Sequence, residues 1–169
     1  RFVTSRHLGE RLQREALADV ALGVEELEAR SGFRVSGRGE LHLSILIERM
    51  RREGFEFQVT RPRVIMQREG DAWLEPYEEL TADVEEQHLG AVIERLGSRK
   101  GTMRELHPAQ GDGMARLVYR IPTRGLLGFR PEFMTVTKGM GIMNYVFSGY
   151  GAHAGEIKNR KNGVLVAKD

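Results

Sequence analysis

Apolar residues recur along this chain with two different periods, and each change of period marks a change of element. After Ser36-Gly-Arg-Gly39, the residues Leu43, Leu46, Ile47 and Met50 fall on one helical face. Gly54 stops that run, and Phe55, Phe57 and Val59 then alternate with Glu56 and Gln58, the period of a strand. The stretch therefore predicts a turn, a helix and a strand. Each buried side chain of that face favours folding by roughly 1.5–3 kcal/mol, so the face orients the helix against a sheet. Leu41 and Ile45 form a second, smaller strip beside Glu48 and Arg52. Neighbouring loops could cover it, or another domain could; the pattern leaves both open.

Upstream, Thr4 or Ser5 can cap a helix running to about Ala18, with Leu8, Leu12 and Ala16 on one face. Val20 to Val24 reads as a strand, Ser31-Gly32 as a turn, and Phe33 to Ser36 as a second strand. With Phe55 to Thr60 as the third, the order is αββαβ. This is a split βαβ, ferredoxin-like unit lacking its N-terminal strand.

A second unit follows. Glu78 to Val84 alternates as a strand, and Leu89, Val92, Ile93 and Leu96 make an i, i+3, i+4, i+7 stripe closed by Arg99, Lys100 and Gly101. Thr102 to Leu106 and Met114 to Ile121 read as strands joined across Gly111-Asp112-Gly113. After Pro122, Leu126, Phe129, Phe133 and Val136 share a helical face. Pro131 lies within that stretch, so the helix is expected to begin near Arg130, where proline falls in its first turn. Gly141 to Phe147 supplies the last strand, completing βαββαβ. Gly149, Gly151 and Gly155 are expected to mark a linker, and Val164 to Ala167 to begin another strand. The predicted class is α+β, with two tandem ferredoxin-like units over 1–67 and 68–150 and a short tail over 151–169.

The net charge of +2 hides a segregated distribution. Residues 1 to 68 carry 13 basic and 10 acidic side chains, residues 69 to 86 carry 0 and 8, and residues 87 to 169 carry 13 and 6. Local charge thus runs +3, −8 and +7. A basic last half suits a polyanion, because neutralised phosphates release counterions; it equally suits a solvated surface. No apolar run approaches the length that spans a bilayer, and no membrane partner is expected. Zero cysteines exclude disulfides and thiolate catalysis, which fits the cytoplasm.

Catalytic patterns are missing. No Gly-x4-Gly-Lys-Ser/Thr run offers a phosphate cradle, no Gly-x-Ser-x-Gly elbow occurs, and the five histidines lack metal-ligand spacing. Gly37-Arg38-Gly39 opens a helix but reads better as a tight turn than as an anion site. The strand Met114 to Ile121 carries one aromatic, Tyr119, too few for base stacking of the RNA-recognition-motif kind. Any RNA contact is therefore expected through shape and phosphate. Candidates are Arg99, Lys100, Arg124, Arg130 and Lys138, with Lys158, Arg160 and Lys161 in the tail.

The run GRGELHLSILIE followed by MRREGFE resembles the signature of the BipA/TypA translational GTPases. The resemblance continues in Arg61-Pro62-Arg63-Val64-Ile65, Glu75-Pro76-Tyr77, Asp83 to His88, and Pro122 to Arg130, and covers essentially all 169 residues. Pro131 departs from it, since the family usually has a small polar residue there. The resemblance implies domains like the third and fifth of elongation factor G, then the start of a BipA-type C-terminal domain. It places the missing first strand just ahead of Arg1 and the GTPase domains, with GTP and Mg²⁺, further upstream in cis. This stretch is expected to be non-catalytic and to hold no cofactor. Implied partners are ribosomal RNA and ribosomal proteins, with A-site tRNA reached by the tail. The implied role is large-subunit assembly and translation under cold or stress. The alternative is a protein-interaction module of another elongation-factor-like GTPase, without RNA contact, using the acidic 69 to 86 segment.

Overall fold

A computed structural model describes residues 4–28, 32–109, 111 and 113–157. The chain divides into two compact units, Arg1–Pro62 and Arg63–Asp169. Among the described residues no helix is long and apolar enough to cross a membrane.

In the first unit, α1 (Ser5–Ala18) begins at Thr4, whose hydroxyl accepts the His7 amide. Asp19 then turns the chain: its carboxylate accepts the Ala21 amide at 3.0 Å and its carbonyl the Leu22 amide at 3.0 Å. That turn is why β1 begins at Gly23, later than the alternation predicts, and leaves Val20 exposed. β1 (Gly23–Glu26) and β2 (Phe33–Ser36) form an antiparallel pair, followed by α2 (Glu40–Arg52). Leu12, Leu22, Leu46 and Met50 form the buried core, with Leu8, Ala16 and Leu43 packed against it.

Phe55 to Thr60 is not a strand. Its alternation survives as packing, because Phe55 and Phe57 lie against the core while Glu56 and Gln58 face water. In the ferredoxin-like order the last strand pairs only with the one preceding the first helix, and among the described residues none precedes α1. A strand without a ladder partner has no hydrogen bonds to form.

The second unit holds β3 (Gln67–Glu69), β4 (Ala72–Glu85), α3 (Glu86–Ser98), β5 (Thr102–His107), β6 (Met114–Pro122), α4 (Thr123–Leu126), α5 (Phe129–Val136) and β7 (Ile142–Ala152). The sheet runs β5-β6-β4-β7, all antiparallel, with β3 as a short hairpin onto the start of β4. This is the ferredoxin-like arrangement, with the helices over one face. Leu80, Ala82 and Val84 of β4 meet Leu117, Tyr119 and Ile121 of β6 beneath Val92, Leu96, Leu126, Phe129 and Phe133. Pro76 fits a central strand because it falls in the gap between the β3 ladder, which ends at Leu74, and the β6 ladder, which starts at Tyr77.

Two expectations change here. The stretch after Pro122 is broken in two by Gly128 in the left-handed region (φ 67°), so Leu126 lies in the separate α4, while α5 begins at Phe129, within a residue of the expected start, with Pro131 in its first turn. The glycines read as a linker do other work. Gly149 (φ 107°) sits where the β7 register slips against Tyr77 and Glu78, and β7 continues to Ala152. At Gly151 an added Cβ would lie 2.7 Å from the Arg120 guanidinium. Val164 to Ala167 lies outside the described residues.

Candidate nucleic-acid interface

Antiparallel pairing decides which cations share an end of the second unit. β4 leaves one end at Ala72 and reaches the other at Glu85; α3 returns, so Lys100 lies at the first end, with Pro122, the 123–128 loop and the exit of β7. α5 then runs the other way and carries Lys138 to the far end, where Glu85 and Glu86 also lie. The five described candidates therefore do not form one patch. Lys158, Arg160 and Lys161 fall outside the described residues.

At the first end, two of the candidates are committed internally. Arg99, 16% exposed in its side chain, donates to the carbonyls of Gly125 (2.8 Å) and Leu127 (3.2 Å) and to Glu132 (2.6 Å), and lies over the Phe129 ring at 5.0 Å. It ties the end of α3 to the loop between α4 and α5. Arg124 pairs with Glu75, which is wholly buried, and donates to the Gly155 carbonyl. Burial pushes the Glu75 carboxyl up, but the Arg124 guanidinium and the Ala154 amide together hold it below its ordinary value. Neither arginine has the free fork that a phosphate needs.

Lys100 and Arg130 remain exposed at this end. Lys100 is left-handed (φ 66°), at the position after a helix where glycine costs least, and so is Lys138 (φ 51°). These are the two positive-φ residues other than glycine among those described. The 123–128 loop packs closely on the end of α3: an added Cβ at Gly125 would lie 2.6 Å from the Arg99 carbonyl oxygen. The result is a preorganised backbone loop flanked by one lysine and one arginine.

Three of the eight carboxylates of the acidic segment are engaged within the unit. Besides Glu75, Glu78 is 9% exposed and accepts from Thr123 at 3.0 Å, its carboxyl pushed up by burial. Asp83 takes a two-pronged bond from Arg116 at 2.7 and 2.9 Å, which lowers its pKa. Exposed Glu69, Asp71, Glu79 and Glu86 are distributed along β3, β4 and the start of α3.

In the first unit, the Gly37-Arg38-Gly39 turn is closed by His42. Its Nδ1 accepts the Arg38 amide at 3.2 Å, so Nε2 carries the hydrogen toward Asp19 at 2.7 Å. An added Cβ at Gly37 would lie 2.8 Å from that Nδ1. His42 is thus a turn-holding residue rather than a surface histidine. Leu41 and Ile45 are 70% and 49% exposed, so none of the described loops of the unit covers the second strip of α2. Among the described residues no group of three or more histidines and carboxylates is placed to hold a metal ion.

Comparison with known proteins agrees with this architecture. Residues 72–161 match the family described as Elongation factor G C-terminus. The chain is 54% identical over 168 residues to the large ribosomal subunit assembly factor BipA of Escherichia coli K12, covering 99% of this chain and 28% of that protein. Its identity to the factor of the same name from Haemophilus influenzae is 55% over 168 residues, covering 99% of this chain and 27% of that protein. To the putative elongation factor TypA-like SVR3 of Arabidopsis thaliana chloroplasts it is 50% over 167 residues, covering 99% and 25%. A crystal structure from Thermus thermophilus is similar with a TM-score of 0.56 at 15% identity, covering 86% of this chain and 38% of that one, a likeness of fold alone. The chain belongs to the elongation factor G C-terminus family and, within that class, to the BipA/TypA group. It spans about 28% of the length of the curated bacterial relatives it matches.

Proposed function

We propose that this stretch is the ribosome-facing, non-catalytic part of a BipA/TypA-like translational GTPase acting in the cytoplasm in large ribosomal subunit assembly, and in translation under cold or stress. GTP and Mg²⁺ belong, on this reading, to domains outside it. The observation that carries the docking surface is the pairing of a 123–128 loop tied down by Arg99 with exposed Lys100 and Arg130 at one end of the second unit. A cradle that need not order itself on binding loses less entropy to an RNA backbone. Lysine kept at a left-handed position is supporting evidence, since glycine would relieve the backbone there. Lys138, at the opposite end, would belong to a separate contact, and Lys158, Arg160 and Lys161 would serve a tail directed at tRNA. The rival protein-only reading would rest on the exposed Glu69, Asp71, Glu79 and Glu86, since Glu75, Glu78 and Asp83 are engaged within the unit.

The test is binding to purified large ribosomal subunits across a salt series, for the wild type and for Lys100→Glu with Arg130→Glu. Phosphate docking gives log K falling nearly linearly with log salt, and each lost contact reduces the slope by about 0.7–0.9. An unchanged slope and affinity would remove this end from the interface. Arg99 and Arg124 are unsuitable for charge reversal, because their loss disturbs the loop itself.

A further inference from the structure

The chain leaving β7 is held by three side chains, of which only Arg124 lies in the 123–128 loop. Tyr77 donates its hydroxyl to the Ala152 carbonyl at 2.7 Å, the Ala154 amide donates to Glu75 at 2.6 Å, and Arg124 bonds Glu75 and the Gly155 carbonyl together. Ile157 is buried just beyond. The same Arg124 is the second residue of α4 and so belongs to the 123–128 loop. Arg120 lies over the Tyr77 ring at 3.7 Å and fixes its plane.

None of Glu75, Tyr77, Arg124 or residues 152–157 is part of the main hydrophobic cluster of the second unit. A buried ion pair is a costly way to hold two elements, since apolar residues of like volume often do so at no loss of stability. What it supplies instead is direction. A guanidinium shared between one carboxylate and one carbonyl accepts few alternative geometries.

We propose that Glu75, Arg124 and Tyr77 form a strap that fixes the path of residues 152–157 against the 123–128 loop and opens locally, without loosening the sheet. The strap sets the direction in which the chain leaves the second unit relative to the face that carries Lys100 and Arg130. It exists whether or not that face meets RNA, so its test uses no ribosome.

The experiment is amide hydrogen exchange, read residue by residue, on the whole protein carrying Glu75→Met with Arg124→Met. The double substitution removes both charges together and leaves no unpaired buried ion. Exchange at Ala154 and across 153–157 should rise at least about 10-fold, and that of the 123–128 loop should rise with it, while Leu80 to Val84 and Leu117 to Ile121 keep their protection. Unchanged exchange at 153–157 would overturn the strap. Equal loosening of the sheet would overturn it too, by making the pair part of the global core. Tyr77→Phe, which leaves the charges in place, serves as the second variant: faster exchange at 152–155 with an unmoved sheet supports the strap, and no change removes Tyr77 from it.

Discussion

Lys100 shows how a single residue can be placed against its own backbone preference. At φ 66° after α3 a side chain costs stability that glycine would not. Lys100→Gly should therefore raise stability by about 0.5–1 kcal/mol in urea melts while weakening binding to the large subunit. Loss of binding without gain of stability would show that the left-handed geometry carries no strain. The Glu78 and Glu75 carboxyls are shifted in opposite directions. The Glu78 carboxyl is raised by burial, with Thr123 opposing. Its charge is therefore a cost that appears as pH rises from the unfolded value through the folded one. Glu78→Gln should stabilise the protein at pH 7, and the advantage should vanish below about pH 4, measured by denaturant midpoint at each pH. The Glu75 carboxyl is lowered on balance, so its contribution is present above the unfolded value of 4.5 and is lost as pH falls through the folded one. Replacing the pair by Glu75→Met with Arg124→Met should flatten the acid limb of the stability profile. A limb of unchanged steepness would mean that other carboxylates dominate it.

At the scale of elements, glycines around the 123–128 loop are needed for two different reasons. Gly128 supplies a left-handed residue between α4 and α5, and Gly128→Ala should cost about 1 kcal/mol. Gly125 is open to any side chain in its φ but not in its space, because the Arg99 carbonyl oxygen would lie 2.6 Å from an added Cβ. Gly125→Ala should cost more, about 1–3 kcal/mol, and should disturb the end of α3 in amide chemical shifts as Gly128→Ala does not. Equal costs would refute the distinction. The helices and the core they bury were legible in the sequence, since period alone identified Leu89, Val92, Ile93 and Leu96, and Leu126, Phe129 and Phe133. Phe55 to Thr60 was not, because alternation reports which side chains face the core, whereas a strand also needs a neighbour that pattern cannot supply. The internal partners of Arg99 and Arg124 were not legible for a related reason. The arginines' type and place near helix ends suit phosphate, but Glu132 lies 33 residues from Arg99 and Glu75 lies 49 from Arg124 in sequence, and only the fold brings the acids to them.

Across the whole second unit, charge is abundant except along one edge. From Gly139 to Gly155 there is no Asp, Glu, Lys or Arg, and this stretch contains β7, whose outer edge has no partner among the described residues. Ile142, Val146 and Phe147 are 58%, 64% and 59% exposed along it. An uncharged edge strand with free backbone groups is a template for another strand, and edge strands are usually protected by an inward lysine or a proline. The register offers a place for such a charge: Val146 stands opposite Glu79, which is exposed on the face away from the helices. A lysine at 146 would face that glutamate across the ladder, an arrangement worth roughly 0.2–1 kcal/mol, and would oppose like charge on any approaching copy. Val146→Lys should therefore leave the denaturant midpoint equal or slightly raised while lowering concentration-dependent association in sedimentation velocity and slowing aggregation on heating. A protein that associates as much as before would place the sticky surface elsewhere, with the exposed Leu41 and Ile45 strip of α2 the next to alter.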